Sequence, residues 1–316
     1  MTASEPHITV IDCGYVRPRF DASHLIVDAG RAAFVDTGTS HSVPNLLAGL
    51  EAAAITPEQV DFVFLTHIHL DHAGGAGALL QHLPKATCVV HPRGARHMID
   101  PARLIAGSIE VYGAETFGRL YGEIVPIPAE RVRTVADGER ITLGTRELEF
   151  LHTPGHALHH YCIVDLRAQV IFSGDTFGLS YREFDTEAGA FIFPTTTPVH
   201  FDPAAAHESI DRLMARSPRA IYLTHYSRVT QLDRLAADLH LCLDAFVDLA
   251  RRYADYPDRT QRLQNEMFQY LSHRLDAHGD AHDLAARHEL LDMDVELNVQ
   301  GLEVWMDRQE QEGGRS

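Results

Sequence analysis

The sequence has few cysteines and none at paired spacing. Cys13, Cys88, Cys162 and Cys242 lie far apart with no C-x-x-C motif, which reads as buried free thiols in a reducing compartment. No Lys/Arg run of five or more occurs, and the formal net charge is −17 with a pI of about 5.6. Such a surface repels phosphate backbones, so no nucleic-acid partner is expected. No uncharged apolar stretch is long enough to span a bilayer, so no membrane association is expected either. Met1 to Arg19 lacks a basic segment followed by an apolar core; the expectation is no secretory signal and a cytoplasmic location. There is no internal repeat and no low-complexity tract.

What is present is a chain of 316 residues with 45% hydrophobic content, enough to bury a full core as one large or two small domains. Histidine is the outlier at 21 residues. The count carries meaning only where histidines cluster at ligand spacing.

Two short apolar segments, Leu25–Val27 and Ala32–Val35, flank Asp28-Ala29-Gly30 and predict a hairpin. A helix follows from Ser42 as N-cap, with Pro44 in its first turn, to about Ala54. Val60–Leu65 reads as a buried strand, followed by a helix near Ala76–Gln81 and a strand at Thr87–His91. Residues 93–121 look like a helical insertion. Strands are expected at Arg140–Leu143 and Glu147–Leu151 around Gly144, at Tyr161–Asp165, at Val170–Phe172 and at Ala220–Leu223. Helices and strands thus interleave up to about residue 228, the pattern of helices layered on sheets. Beyond it, Leu232, Leu235, Leu239, Cys242, Phe246 and Leu249 recur at steps of 3, 4, 3, 4 and 3, one face of an amphipathic helix. Helices at Gln261–Leu275 and Asp280–Met306 follow, and the tail from Glu310 is polar. Residues 229–316 are therefore either a helical cap over residues 1–228 or an oligomerisation surface, with a homodimer as one outcome.

The chemistry concentrates in His67-x-His69-x-Asp71-His72, four ligand-type residues within six positions directly after the Val60–Leu65 strand. A strand alternates its side chains, so histidines two apart can share a side. A loop after Thr66 can fold Asp71 and His72 back to the same point, and Gly74-Gly75 permits close backbone approach. Imidazole and carboxylate suit zinc, iron or manganese.

This string resembles the signature of the metallo-β-lactamase superfamily, and the remaining motifs follow that family's order across roughly residues 8–228. Asp36 in Val35-Asp36-Thr37-Gly38 matches the first motif, His156 in Thr153-Pro154-Gly155-His156 the third, Asp175 in Ser173-Gly174-Asp175-Thr176 the fourth, and His225 the fifth. The resemblance implies an α/β fold, a four-layer αββα sandwich, here with an all-helical C-terminal extension. It also implies two divalent metal ions. His67, His69 and His156 would hold one, Asp71, His72 and His225 the other, and Asp175 both. Two such cations can share a hydroxide whose pKa is lowered toward neutrality. One metal would polarise the carbonyl and receive the developing oxyanion, and Asp71 would double as proton shuttle. Asp36 either orients ligands from beneath or caps the turn at Gly38.

Tyr181 and Tyr226 lie just beyond ligand motifs and either donate to a substrate carbonyl oxygen or are core tyrosines. His159 and His160 either reach the pocket rim or are structural. His41, His91, His97, His200 and His207 show no paired spacing and are background. Phe191–Pro198 is either a pocket lining or a rigid loop.

The superfamily's fold does not fix a substrate. The His-x-His-x-Asp-His-Ala-Gly-Gly string is similar to that of lactonases and glyoxalase-II-like thioesterases. Neither the lactonases' tyrosine shortly after the bridging aspartate nor a basic glutathione-binding pattern is present, so neither substrate transfers. The expected activity is hydrolysis of a small carboxylic ester, thioester or lactone, with a small acyl substrate as partner. Iron-dependent oxygen chemistry on the same fold and a non-catalytic binding role are the alternatives.

Overall fold

The computed structural model describes residues 7–197 and 199–313, without the side chains of residues 111, 112, 312 and 313. The expectations for Pro198, for the first six residues of the N-terminal segment and for the last three of the polar tail fall outside the described residues.

Two six-stranded mixed sheets form the body of the first compact unit. The first runs in the order β1 (His7–Asp12), β2 (Ala22–Asp28), β3 (Arg31–Val35), β4 (Val60–Phe64), β5 (Thr87–Val90) and β6 (Val132–Thr134). Its first three strands are antiparallel and the rest parallel. The second contains β7 (Arg140–Leu143), β8 (Arg146–His152), β9 (Tyr161–Asp165), β10 (Val170–Gly174), β11 (Ala220–Leu223) and β12 (Ser227–Val229), adjacent in sequence order. There the β10–β11 pair is parallel, while β7–β8, β8–β9 and β9–β10 are antiparallel.

The predicted hairpin is β2–β3, paired from Asp28 opposite Arg31. Ala29 and Gly30 have φ of 48° and 74°, the two positive values that a two-residue turn matched to strand twist requires.

Alternation along the strands sorts the core into layers. Leu25, Phe34 and Val63 fall in one buried cluster with Leu46 and Leu50 of α1 (Val43–Ala52). Their neighbours Ile26, Ala33, Val35 and Phe64 fall in another, with Phe150, Ile163 and Phe172 of the second sheet. A period of two thus packs one face of the first sheet on helices and the other on the second sheet. Between β4 and β5 lie α2 (Leu70–Ala73) and α3 (Ala76–His82), the latter adding Leu79 and Leu80 to the helix-side cluster. The predicted insertion is α4 (Ala95–Ile99), α5 (Ala102–Tyr112) and α6 (Ala114–Tyr121). Truncating wholly buried Phe64 to alanine would cost about 3–5 kcal/mol.

The second compact unit comprises Thr153–Leu158, Asp175–Ser217 and Val229–Ser316. It holds α7 (Pro203–Met214), α8 (Leu232–Tyr253), α9 (Arg259–His278) and α10 (Leu284–Gly313). Leu235, Leu239 and Phe246 of α8, Leu263, Leu271 and Leu275 of α9, and Leu291, Val299 and Leu302 of α10 are at most 1% exposed. Gly279, with φ of 85°, ends α9 in the left-handed conformation typical of a helix C-terminus. Within this unit Thr196 donates its backbone N–H to Asn298 Oδ1 and its hydroxyl to Asn298 O. Phe191 O accepts from Ser180 Oγ at 2.6 Å, so the Phe191–Thr197 segment is tied near both ends.

Five elements have no counterpart in the sequence reading: β1, β6, β12, the single-turn α2, which falls where a loop was expected, and α7. The three strands are short or exposed, with Val10 of β1 37% exposed, so an apolar run is missing. Helix α7 did carry signals: Asp202 as N-cap accepts from Ala205 N at 3.0 Å, and Pro203 opens the helix.

Candidate metal centre

Asp36 organises the first unit's share of the site. It follows β3 with φ of 58° and is wholly buried. Its Oδ1 accepts the Thr66 backbone N–H at 2.8 Å, and its Oδ2 accepts the hydroxyls of Thr66 and Thr224, each at 2.8 Å. His72 Nδ1 lies 2.9 Å from the same Oδ2. A carboxylate can only accept, so His72 carries its proton on Nδ1 and presents the Nε2 lone pair. The two threonines were not singled out in the sequence, yet each immediately precedes a candidate ligand histidine, as Thr66-His67 and Thr224-His225.

The other imidazoles are oriented in the same way. His225 Nδ1 donates to Phe20 O at 2.8 Å, which puts the lone pair on Nε2, the atom that faces Asp71 Oδ2. Thr66 Oγ1, its proton given to Asp36, accepts from His67 Nδ1 at 3.2 Å. His67 Nε2 then faces His69 Nδ1 at 2.8 Å. His69 caps α2, which puts Asp71 and His72 on its first turn. Asp71 Oδ2 lies 3.6 Å from His72 Nε2 and 3.4 Å from His225 Nε2. The ligand atoms of Asp71, His72 and His225 lie within 4.8 Å of one another.

In the second unit, His156 Nε2 and Asp175 Oδ2 are 3.4 Å apart. His156 Nδ1 lies 3.3 Å from Thr195 O, the contact of a donor. Glycines precede both residues for steric reasons. A Cβ on Gly155, with φ of 131°, would come 2.5 Å from the Ala206 backbone. One on Gly174 would meet Thr66 Oγ1 at 2.6 Å.

Within the first unit Asp71, His72 and His225 thus form a group of the kind that could hold a metal ion, with the His67 ring centroid 4.0 Å from that of His72; within the second, His156 and Asp175 form an imidazole–carboxylate pair. Converging nitrogen and carboxylate lone pairs, with outward ring nitrogens satisfied by the fold, fit a divalent cation.

The remaining sequence candidates are placed as follows. Tyr181 is wholly buried, and its hydroxyl donates to Asp294 at 3.0 Å within the second unit. Tyr226 is half-buried next to His225. His159 and His160 are buried, with the His160 ring centroid 4.9 Å and the His159 centroid 6.2 Å from that of His67. Asp21, which the sequence did not flag, is wholly buried, and neither carboxylate oxygen has a hydrogen-bond partner among the described residues. Burial pushes its pKa well up, while His225 and His72 pull it back.

Residues 16–225 match the family model of the metallo-beta-lactamase superfamily. The chain is 29% identical over 219 residues to a hydroxyacylglutathione hydrolase of Aeromonas hydrophila, a match covering 68% of this chain and 65% of the relative. It is 32% identical over 168 residues to acyl-coenzyme A thioesterase MBLAC2 of Gallus gallus, covering 48% of this chain and 52% of the relative. A solved metallo-beta-lactamase family protein from Thermus thermophilus, TTHA1429, superposes with a TM-score of 0.68 at 18% identity, over 98% of this chain and 95% of that one. At that coverage the likeness of fold extends through the C-terminal helices. No helix among the described residues is long and apolar enough to cross a membrane. The fold is the αββα sandwich with a helical C-terminal extension, and the chain belongs to the metallo-beta-lactamase superfamily.

Proposed function

We propose that the protein is a dinuclear metal-dependent hydrolase of small carboxylic esters, thioesters or lactones. The observation that carries this reading is the anchoring of His72, His67 and Thr224 around one buried carboxylate, Asp36, so that ligand atoms converge on Asp71 Oδ2. The relatives named hydroxyacylglutathione hydrolase and acyl-coenzyme A thioesterase support cleavage of an acyl bond, with the thioester first among the three.

His67, His69 and His156 would hold one cation, Asp71, His72 and His225 would hold the second, and Asp175 would serve both. When bound, two divalent cations supply Lewis acidity and a nucleophilic water at neutral pH. The chain's own residues do the rest. Asp36 and the Phe20 carbonyl fix the His72 and His225 tautomers, so no ring turns over during a cycle. The Asp71 side chain, 24% exposed, passes a proton to the leaving oxygen or sulfur. Water adds across the acyl bond, releasing the acid and the alcohol or thiol. Tyr226 is the proposed donor to the carbonyl oxygen, and Tyr181, held by Asp294, either joins it or supports the loop. Zinc is the proposed metal, and a small acyl compound the partner.

Acid release followed by pH-stat from acyl-CoA thioesters, lactones and aryl esters, before and after chelator treatment, tests this. Chelator-sensitive release restored by zinc, manganese or ferrous iron is expected. Silence across the panel from fully metallated protein would move the reading to iron-dependent oxygen chemistry or to binding without turnover.

A further inference from the structure

Outside the residues of the candidate metal centre, α7 and α8 carry the same spacing, His207-x-x-x-Asp211 and His240-x-x-x-Asp244. Residues four apart share a helix face. The two faces meet crosswise: His207 Nε2 lies 3.2 Å from Asp244 Oδ1, and His240 Nε2 lies 3.2 Å from Asp211 Oδ1. Between them the two Nδ1 atoms stand 2.6 Å apart. The rings are inclined by only 6° with centroids 4.9 Å apart. That separation is close to the N···N gap plus the two ring radii, so the imidazoles meet edge to edge in nearly one plane.

The tautomers follow from the outer contacts. An ionised aspartate only accepts, so each Nε2 carries a hydrogen and each neutral ring has a bare lone pair at Nδ1. Two lone pairs aimed head-on at this distance require a positive charge between them. Two neutral imidazoles and two carboxylates sum to −2, which a divalent cation neutralises. A carboxylate behind each ligating imidazole is the arrangement that fixes a metal-binding histidine.

We propose that His207 and His240 form a separate binding site for a divalent transition cation of the zinc, nickel and copper class, oriented by Asp244 and Asp211 and clipping α7 to α8. Imidazole ligands select that class over magnesium or calcium. Zinc–nitrogen bonds of 2.0–2.1 Å place two nitrogens about 3.3 Å apart in a tetrahedral shell, so binding parts the rings by about 0.7 Å and tilts each of them off the head-on line. The histidine side chains are 28% exposed, and Asp211 and Asp244 are 74% and 71% exposed. A cation therefore reaches the site from solvent, and water completes its shell.

The test is zinc content of the full chain after dialysis against one buffered free-zinc concentration. His207→Ala and His240→Ala should each hold one equivalent fewer than wild type, and Asp211→Asn with Asp244→Asn should weaken that equivalent about 10–100-fold. His240→Gln, which keeps a polar side chain on α8, runs beside them so that a loosened helix is not mistaken for a lost ligand. Zinc content equal to wild type in the folded histidine variants would overturn the site and leave a shared proton in its place. Loss of more than one equivalent from each variant would overturn its separateness.

Discussion

His72 Nδ1 and Asp36 Oδ2 lie 2.9 Å apart, with both side chains wholly buried. This contact joins the end of β3 to the first turn of α2, and the two threonine hydroxyls on the same carboxylate tie in β4 and β11. Replacing Asp36 by Asn keeps the shape and the tolerance of a positive φ but offers His72 an amide. Metal affinity should fall about 10–100-fold, read by competition with a chromogenic chelator. Unchanged affinity would separate Asp36 from ligand orientation.

Asp175→Ala should remove the carboxylate proposed to touch both metals and reduce metal content by at least one equivalent. His159→Ala should leave metal content as in wild type, because His159 is not among the residues whose ligand atoms converge. Elemental analysis of the two purified variants decides both. Full metal in the first, or a lost equivalent in the second, would redraw the ligand set.

Tyr181→Phe takes the hydroxyl away from buried Asp294. A buried carboxylate that loses a donor costs about 1–3 kcal/mol, so the melting temperature should drop by a few degrees. A supporting tyrosine gives that drop with kcat retained. A fall in kcat at unchanged melting temperature would make Tyr181 a substrate contact instead.

The local part of the site was legible and the long-range part was not. His67, His69, Asp71 and His72 announce themselves because four ligand types fall in one turn of loop and helix. Asp36 was read as either orienting residue or turn cap, because its partners Thr66, His72 and Thr224 lie 30, 36 and 188 residues away. Short apolar runs revealed β2, β3 and β4, whose neighbours bury both faces, whereas the edge strand β1 is largely unburied and its Ile8, Val10 and Ile11 are broken by Thr9. His207 read as background because its partner His240 sits 33 positions on, and only the packing of α7 on α8 brings them together.

His24 provides a pH test. Burial against Phe172 and Tyr222 depresses its pKa from 6.5 to about 4, partly opposed by Asp36. The unfolded chain therefore binds the proton first as pH falls. The stability that His24 contributes is whole above about 6.5 and is lost on the way down to about 4, on the order of 3 kcal/mol. His24→Gln should flatten the dependence of unfolding free energy on pH across that window, measured by urea denaturation at several pH values. A slope equal to wild type would remove His24 from the acid limb.

Hydrolysis by a two-metal site is checked by adding zinc back to chelator-stripped protein while following thioester hydrolysis. The stripped protein should show no turnover, and activity should rise to a plateau at two equivalents per chain. Thioester hydrolysis that survives stripping in full would contradict it.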